Sequence, residues 1–376
     1  MRVYKFRLYP TRKQEKVLFK QLNLCRFAYN QLLEELGKNK DKKHIQHYIV
    51  ELKEKYPELN DVYSKTLQYE CYRLFYNLKG LSQSKKKGNK IGRLRFKGRD
   101  WFKTICYNQS GFKLIKQDKR YNLLHLSKIG DIRLLQHREI EGKIKGIIIK
   151  RKADSWEAHI ITDAKYFIKK GNNVIGIDLG IMSFLTDNEG NKISNPLLLK
   201  KSLNQLKELH QKLSKKKKGS NNRYKAKFQL IKLYEHITQQ RDDFLHKITT
   251  RLVNQNKFIA VENLNIKQLQ SISWNARNIN DSSWGKFLQM LSFKAESAGC
   301  QVVKVNPKDT TKECSNCHNK QDIPLYQRQY NCPHCGLSID RDTNSAINIL
   351  RRALEQGYVE MNNCLSMKQE AITSTS

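Results

Sequence analysis

Three acidic residues stand where a bare carboxylate is costly. Asp178 ends Val-Ile-Gly-Ile-Asp within 174–180, and Glu262 ends Phe-Ile-Ala-Val-Glu within 258–264. Asp342 lies in Asp-Arg-Asp-Thr-Asn-Ser-Ala-Ile-Asn-Ile (340–349), directly after a four-cysteine cluster. The first two close short β-branched runs that read as buried strands, and a charge at such a place needs a cation or partner to compensate it. Gathered together, the three would form an all-oxygen site for divalent cations. Two ions held in this way can clamp the attacking and leaving oxygens of a phosphodiester. The competing reading is three unrelated solvated acids at element ends. For Asp340 and Asp342 that reading is simple capping of a helix N-terminus. We assign Asp342 as the ligand and Asp340 as the cap.

Bringing these acids together requires a particular set of elements. In 174–180, Ile175, Ile177 and Leu179 share one face, and Gly176, Asp178 and Gly180 share the other. The two glycines are expected to clear space beside Asp178 for metal and phosphate. Strands are expected at 174–179, 183–187 and 301–305, with another ending at Glu262 beside the first. A helix is expected near 284–298, and a terminal helix over 343–355 would deliver the third acid. A mixed sheet completed by such a helix follows the logic of an RNase H-like nuclease. Between the first strands and Glu262, leucines at helical spacing predict a long hairpin. Its tip is Lys215-Lys-Lys-Lys-Gly-Ser-Asn-Asn-Arg223.

Cys314-x-x-Cys317, fourteen residues, then Cys332-x-x-Cys335 followed by Gly336 is the strongest local motif. Two such knuckles present four thiolates tetrahedrally and suit one structural Zn²⁺. A redox pair would need a single motif beside a βαβ unit. His318 and His334 are adjacent, but four sulfurs already fill the site. The remaining cysteines, Cys25, Cys71, Cys106, Cys300 and Cys364, are scattered and read as reduced thiols.

The chain of 376 residues carries 71 lysines and arginines against 35 acids, a net charge of +36. That excess implies a polyanionic partner, nucleic acid first. A membrane-surface role fits badly, because the charge is spread along the whole chain, and no apolar run is long enough to span a bilayer. The opening residues lack the apolar core of a signal peptide, and the expected location is intracellular.

The first nine residues alternate as a strand, and Pro10-Thr11 opens a helical stretch over 11–36. A second helical region covers 43–79, interrupted near Tyr56-Pro57. Its last part interleaves Tyr69, Tyr72, Phe75 and Tyr76 with basic residues, a pattern that also suits helix-packing core. Residues 84–99, with Lys85, Lys86, Lys87, Lys90, Arg93, Arg95 and Lys97, read as a solvated basic loop. These residues, with Lys215, Lys216, Lys217, Lys218 and Arg223, are the candidate phosphate contacts. Lys65 and Gln68 are candidates for reading duplex DNA. From 100 to 168 short alternating segments predict a small barrel, completed by the strand at 1–9 and interrupted by the helices. The last residues, 357–376, read as a polar, disordered tail.

The chain resembles the TnpB (OrfB) proteins of bacterial insertion sequences. The resemblance rests on Tyr4-Lys-Phe-Arg-Leu-Tyr-Pro-Thr11, Arg95-Phe-Lys97, Leu126-Ser-Lys-Ile-Gly130, Gly176-Ile-Asp-Leu-Gly180, Arg241-Asp-Asp-Phe-Leu-His-Lys247, Val261-Glu-Asn-Leu264, the cysteine knuckles and Asp340-Arg-Asp-x-Asn344. It implies an α+β multidomain chain. A β-barrel wedge (1–10 and 93–168) would be interrupted by a helical recognition domain (11–92). A RuvC-type, RNase H-like nuclease domain (171–309 and 339–356) would hold an inserted zinc ribbon (310–338). It further implies a Mg²⁺-dependent, RNA-guided DNA endonuclease, monomeric and cytoplasmic in a bacterium. The guide RNA would come from the transposon end, and the double-stranded target would carry a short flanking motif. The catalytic acids would be Asp178, Glu262 and Asp342, holding two Mg²⁺ ions. Some relatives have lost acids and act as RNA-guided repressors. Non-cleaving DNA binding is thus one alternative, and strand transfer by a three-acid transposase is another. Ser345 departs from the family, which has alanine there.

Overall fold

The computed structural model describes residues 1–98, 101–117, 121–164, 171–272, 276–324 and 326–356. The chain divides into two compact units, Met1–Lys165 and Tyr166–Ser376. Arg99, Cys364 and the expected disordered tail lie outside the described residues.

Unit 1 begins with β1 (Arg2–Tyr9), whose alternation buries Tyr4, Phe6 and Leu8. A reciprocal capping box then starts α1 (Arg12–Lys38): the Thr11 hydroxyl accepts from the Gln14 amide while the Gln14 side chain accepts from the Thr11 amide. Next come α2 (Lys42–Lys55), a 3-10 turn at Pro57–Asp61, and α3 (Ser64–Lys86). Six strands follow: β2 (Thr104–Asn108), β3 (Phe112–Ile115), β4 (Tyr121–Leu126), β5 (Gly130–Leu135), β6 (Ile144–Arg151) and β7 (Trp156–Thr162). With β1 they form one seven-stranded antiparallel sheet in the order β2-β6-β7-β1-β5-β4-β3. The N-terminal strand is therefore central, and the helices leave the sheet after β1 and return at β2. The expected barrel is a near-barrel: among the described residues no ladder joins its edge strands β2 and β3. The basic loop is also shorter than expected. Helix α3 runs on through Lys86, so Lys85 and Lys86 lie in its last turn, because nothing before Gly88 breaks the helix.

Unit 2 opens with β8 (Asn173–Asp178), β9 (Ser183–Asp187) and β10 (Lys192–Ser194). Then come α4 (Leu198–Lys201), α5 (Leu203–Ser214), the 35-residue α6 (Asn221–Gln255) and β11 (Asn256–Glu262). Three helices, α7 (Ile266–Ile272), α8 (Ala276–Ser282) and α9 (Trp284–Ala298), lead to β12 (Gln301–Val305). The ribbon strands β13 (Gln329–Asn331) and β14 (Ser338–Asp340) run into a terminal helix, α10, over 341–356. The main sheet has the order β10-β9-β8-β11-β12, with β8, β11 and β12 parallel and β9 antiparallel to β8. Its two faces bury different cores. Ile177, Ile259 and Val261 pack with Leu252, Phe287 and Leu291 of α6 and α9. Phe258, Ala260 and Val305 pack with Ile349 and Ala353 of α10. Among the described residues no helix is long and apolar enough to cross a membrane.

One buried charge in unit 1 has a measurable consequence. Glu70 on α3 is fully buried, and neither carboxylate oxygen has a hydrogen-bond partner. Arg73 Nε lies 3.4 Å away, but its Nη2 donates to Thr104 Oγ1 instead. Burial pushes the Glu70 carboxyl up to about 8, and the Arg73 charge only partly opposes this. Between the ordinary carboxylate range and about 8 the folded chain holds a proton that the unfolded chain releases. Stability from this group is therefore full at the acid end and is lost as pH rises through the window, by up to ~1.4 kcal/mol per pH unit. Denaturant melts of the full chain between pH 5 and 8 should show that slope, and Glu70→Gln should flatten it. An unchanged slope in the variant would assign the dependence to other groups.

Candidate functional site

Asp178 ends β8 and Glu262 ends β11. These strands are parallel neighbours whose last rung is Val261–Ile177, so the two acids leave the sheet side by side. Both fall on the α10 face, because Ile177 and Val261 point to the α6 and α9 core. Asp342 lies in the first turn of α10. All three carboxylates are partly buried. Burial first, then the charges of Glu262 and Asp342, drive the Asp178 carboxyl well above the usual range, against the pull of Arg341. Burial also raises Glu262, while Thr310 and Arg352 pull it down. The fold thus brings the three predicted acids into electrostatic contact. It does not draw them into one tight shell: among the described residues only Cys314, Cys317, Cys332 and Cys335 form a group whose potential ligand atoms all lie within 4.8 Å of one another.

Asp340 acts as the helix cap. Its Oδ1 accepts from the amides of Asp342 and Thr343, each at 3.1 Å, and its Oδ2 accepts from Lys192 Nζ at 2.7 Å. Although partial burial works against it, those donors hold the carboxyl below its ordinary value.

The glycines do not do what the sequence suggested. A Cβ on Gly176 would lie 2.2 Å from the Ala346 carbonyl and 2.7 Å from Leu350 Cβ. The space beside Asp178 is therefore filled by the backbone of α10, and this close approach carries Asp342 to the sheet. A Cβ on Gly180 would meet the Ser183 carbonyl at 2.7 Å, so that glycine serves the turn into β9.

The two cysteine knuckles face each other, with Cys314 and Cys335 Sγ 3.7 Å apart and Cys317 and Cys332 Sγ 3.6 Å apart. Gly336, directly after the second knuckle, takes φ +71°, a left-handed conformation that favours glycine. His318 turns from the sulfurs to Glu313, 3.6 Å away. The ribbon is tied to α10 by Asn344, which the sequence showed only as part of a motif, and by Asn348, Arg351, Arg352 and Glu313, to which the sequence assigned no role. Asn344 Nδ2 donates to the Glu313 carbonyl at 2.8 Å, and Asn344 Oδ1 accepts from the Ser315 amide at 2.9 Å. Asn348 Nδ2 donates to the carbonyls of Glu313 (2.7 Å) and Thr310 (3.0 Å). Arg351 and Arg352 both pair with the Glu313 carboxylate. One signal could have exposed these clamps: two asparagines four apart inside a helix are poor helix formers, so their side chains must repay the placement elsewhere.

The basic candidates divide. Lys85, Lys86, Lys87, Lys90, Arg93 and Arg95 are exposed, while Lys97 is partly buried, its backbone bonded to Asn30. At the hairpin tip Lys215, Lys216, Lys217 and Lys218 are exposed. Arg223 turns inward, and its Nη1 donates to the Leu213 and Lys216 carbonyls at 2.8 and 3.0 Å. It closes the hairpin. Lys65 and Gln68 are partly buried on α3.

With this geometry in hand, comparison with known proteins is specific. Residues 167–273 match the family model OrfB_IS605, described as "Probable transposase", and residues 284–349 match a "Cas12f1-like, TNB domain". Residues 1–40 match a "Helix-turn-helix domain", although here they form one strand and one long helix. The fold is shared with a cryo-EM structure of a Cas12f1–sgRNA–target DNA complex, at TM-score 0.61 and 18% identity over 90% of this chain and 82% of that one. A Streptomyces pristinaespiralis protein named "Putative RNA-guided DNA endonuclease" is 28% identical over 94% of this chain and 89% of its own. A TnpB-like protein of Methanocaldococcus jannaschii is 31% identical over 57% of this chain and 80% of its own. The mixed sheet, its strand-end acids and the four-cysteine module define a class of transposon-associated nucleic-acid proteins. Within that class, the chain belongs to the TnpB (OrfB) family.

The Gly176 contact gives a direct test. Gly176→Ala should cost about 3 kcal/mol through overpacking against α10. Denaturant melts measure the loss, and hydrogen exchange should show 341–356 losing protection first. A near-neutral substitution would mean that α10 is not anchored at this point.

Proposed function

We propose that the chain is an RNA-guided DNA endonuclease, with Asp178, Glu262 and Asp342 as its catalytic, metal-binding acids. The observation that carries this reading is the convergence of three partly buried carboxylates, two at adjacent strand ends and one in the first turn of α10: burial first, then the charges of Glu262 and Asp342, raise the Asp178 carboxyl. An all-oxygen donor set of three carboxylates suits Mg²⁺. Magnesium bound there, as two ions, supplies charge neutralisation for the attacking and leaving oxygens of a phosphodiester. The chain's own contribution is to orient the acids: strand ends fix Asp178 and Glu262, and the packed start of α10 fixes Asp342. The mixed sheet with these acids is read as a RuvC-type, RNase H-like domain over 171–309 and 339–356.

The four thiolates around 310–338 suit one structural zinc, which would hold the ribbon against α10. The near-barrel (1–10 and 93–168) and the helices at 11–92 are read as the wedge and recognition parts. Their partners would be a guide RNA from the transposon end and double-stranded target DNA. Base pairing would read sequence, and the protein would read a short flanking motif. The exposed lysines and arginines of 85–97 and of the hairpin tip are read as phosphate contacts, and Lys65 and Gln68 as flank contacts. The working form would be a monomer in the RNA complex, in the bacterial cytoplasm.

Asp178→Ala, Glu262→Ala and Asp342→Ala should each abolish cleavage by the RNA-loaded protein while guide and target binding persist in filter-binding assays. Normal cutting by Asp342→Ala would remove that residue from the site, and joined rather than linear products would indicate strand transfer. Elemental analysis should find ~1 zinc ion per chain. Cys314→Ser should lose the zinc and with it cleavage. A zinc-free protein with full activity would end the structural-zinc reading.

A further inference from the structure

We infer that Thr310 is a positioning residue for Glu262, and that through it the cysteine ribbon sets the orientation of a catalytic carboxylate. This inference rests on the nuclease reading above. Thr310 Oγ1 lies 2.5 Å from Glu262 Oε1 and 3.1 Å from the Pro307 carbonyl. A hydroxyl has one proton, and the shorter contact to a charged acceptor takes it. Among the described residues Thr310 is the sole hydrogen-bond donor to that carboxylate. Oε1 is thus held, and among the described residues Oε2 has no hydrogen-bond partner, as a carboxylate poised to accept a cation on one oxygen requires.

Thr310 is itself fixed. It is 1% exposed, and its carbonyl accepts from Asn348 Nδ2 at 3.0 Å. The same Asn348 amide holds the Glu313 carbonyl, directly before the first knuckle cysteine, Cys314. The branched side chain has few rotamers to escape into. The path from the thiolates to the acid therefore runs through backbone held by α10, the helix that also carries Asp342. A group that orients a metal ligand in this way typically accounts for ~10- to 100-fold in metal affinity or activity.

Thr310→Val keeps the shape and removes the proton donor. In the full chain its Mn²⁺ affinity, read by calorimetry and by electron paramagnetic resonance, should fall ~10-fold or more. Cleavage by the RNA-loaded protein should need correspondingly more Mg²⁺, with guide and target binding unchanged. Thr310→Ser, which keeps the hydroxyl, should restore both. A merely structural threonine would lower the melting temperature without moving the metal titration. Zinc content and melting report whether Thr310→Val folds. If it does not, Thr310→Ala enters the same titrations, because it removes the donor without placing a methyl against the carboxylate. Wild-type Mn²⁺ affinity and Mg²⁺ dependence in a folded donorless variant would overturn the inference. Asp178→Ala is run alongside. If it cuts as well as wild type, the nuclease reading itself fails. If it is inactive while the Thr310 variant behaves as wild type, only the role of Thr310 falls.

Discussion

Asp178 ends a strand where burial and the charges of Glu262 and Asp342 all act on its carboxyl, and the elements of unit 2 must hold those three acids in place. That carboxyl is driven upward by burial first and then by both neighbouring charges. Such a cluster separates unless its carriers are locked by contacts that do not depend on the acids. Two of the carriers are adjacent parallel strands, so sheet hydrogen bonds fix Asp178 and Glu262. The third is a helix, and helices slide. Its lock is the backbone approach at Gly176, backed by Ile349 and Ala353 packing on Phe258 and Ala260.

The cysteine ribbon is the second lock. It leaves the sheet after β12 and returns through β14 directly into α10. A ribbon that only decorated the surface would not need its first knuckle clamped. Here the Glu313 carbonyl accepts from two asparagine side chains, and its carboxylate pairs with two arginines. Side chains on α10 supply all four contacts. The ribbon and the helix carrying Asp342 therefore behave as one body, and the proposed zinc would stabilise the site without touching substrate.

The net charge of +36 is distributed by the same economy of contacts. The lysines at the end of α3 and on the α5–α6 tip stand out into solvent, where phosphate could replace water. Arg223 does not, because the carbonyls of Leu213 in the last turn of α5 and of Lys216 just past it need donors, and a guanidinium reaches both. A run of like charge in a sequence thus contains members with structural work to do, and only packing separates them from the rest.

Local sequence determined the strands, the helices and the identity of the candidate ligands. Alternation in β1, a β-branched run ending in an acid, a Thr11–Gln14 capping box and paired Cys-x-x-Cys spacings are short-range patterns, each set by geometry within a few residues. The sequence expected Asp178 and Glu262 to end neighbouring strands, and the β8–β11 register then put them on one face. Tertiary structure decided what the sequence left open or misassigned. Gly176 makes room for a helix backbone that lies 170 residues further on at Ala346, and Thr310 meets Glu262 across 48 residues. Lys85 and Lys86 belong to a helix because α3 runs on to its first left-handed glycine. Asn348 gains its meaning from carbonyls on another element. No period encodes such contacts, because each depends on how three separately formed elements pack and on which polar groups that packing buries.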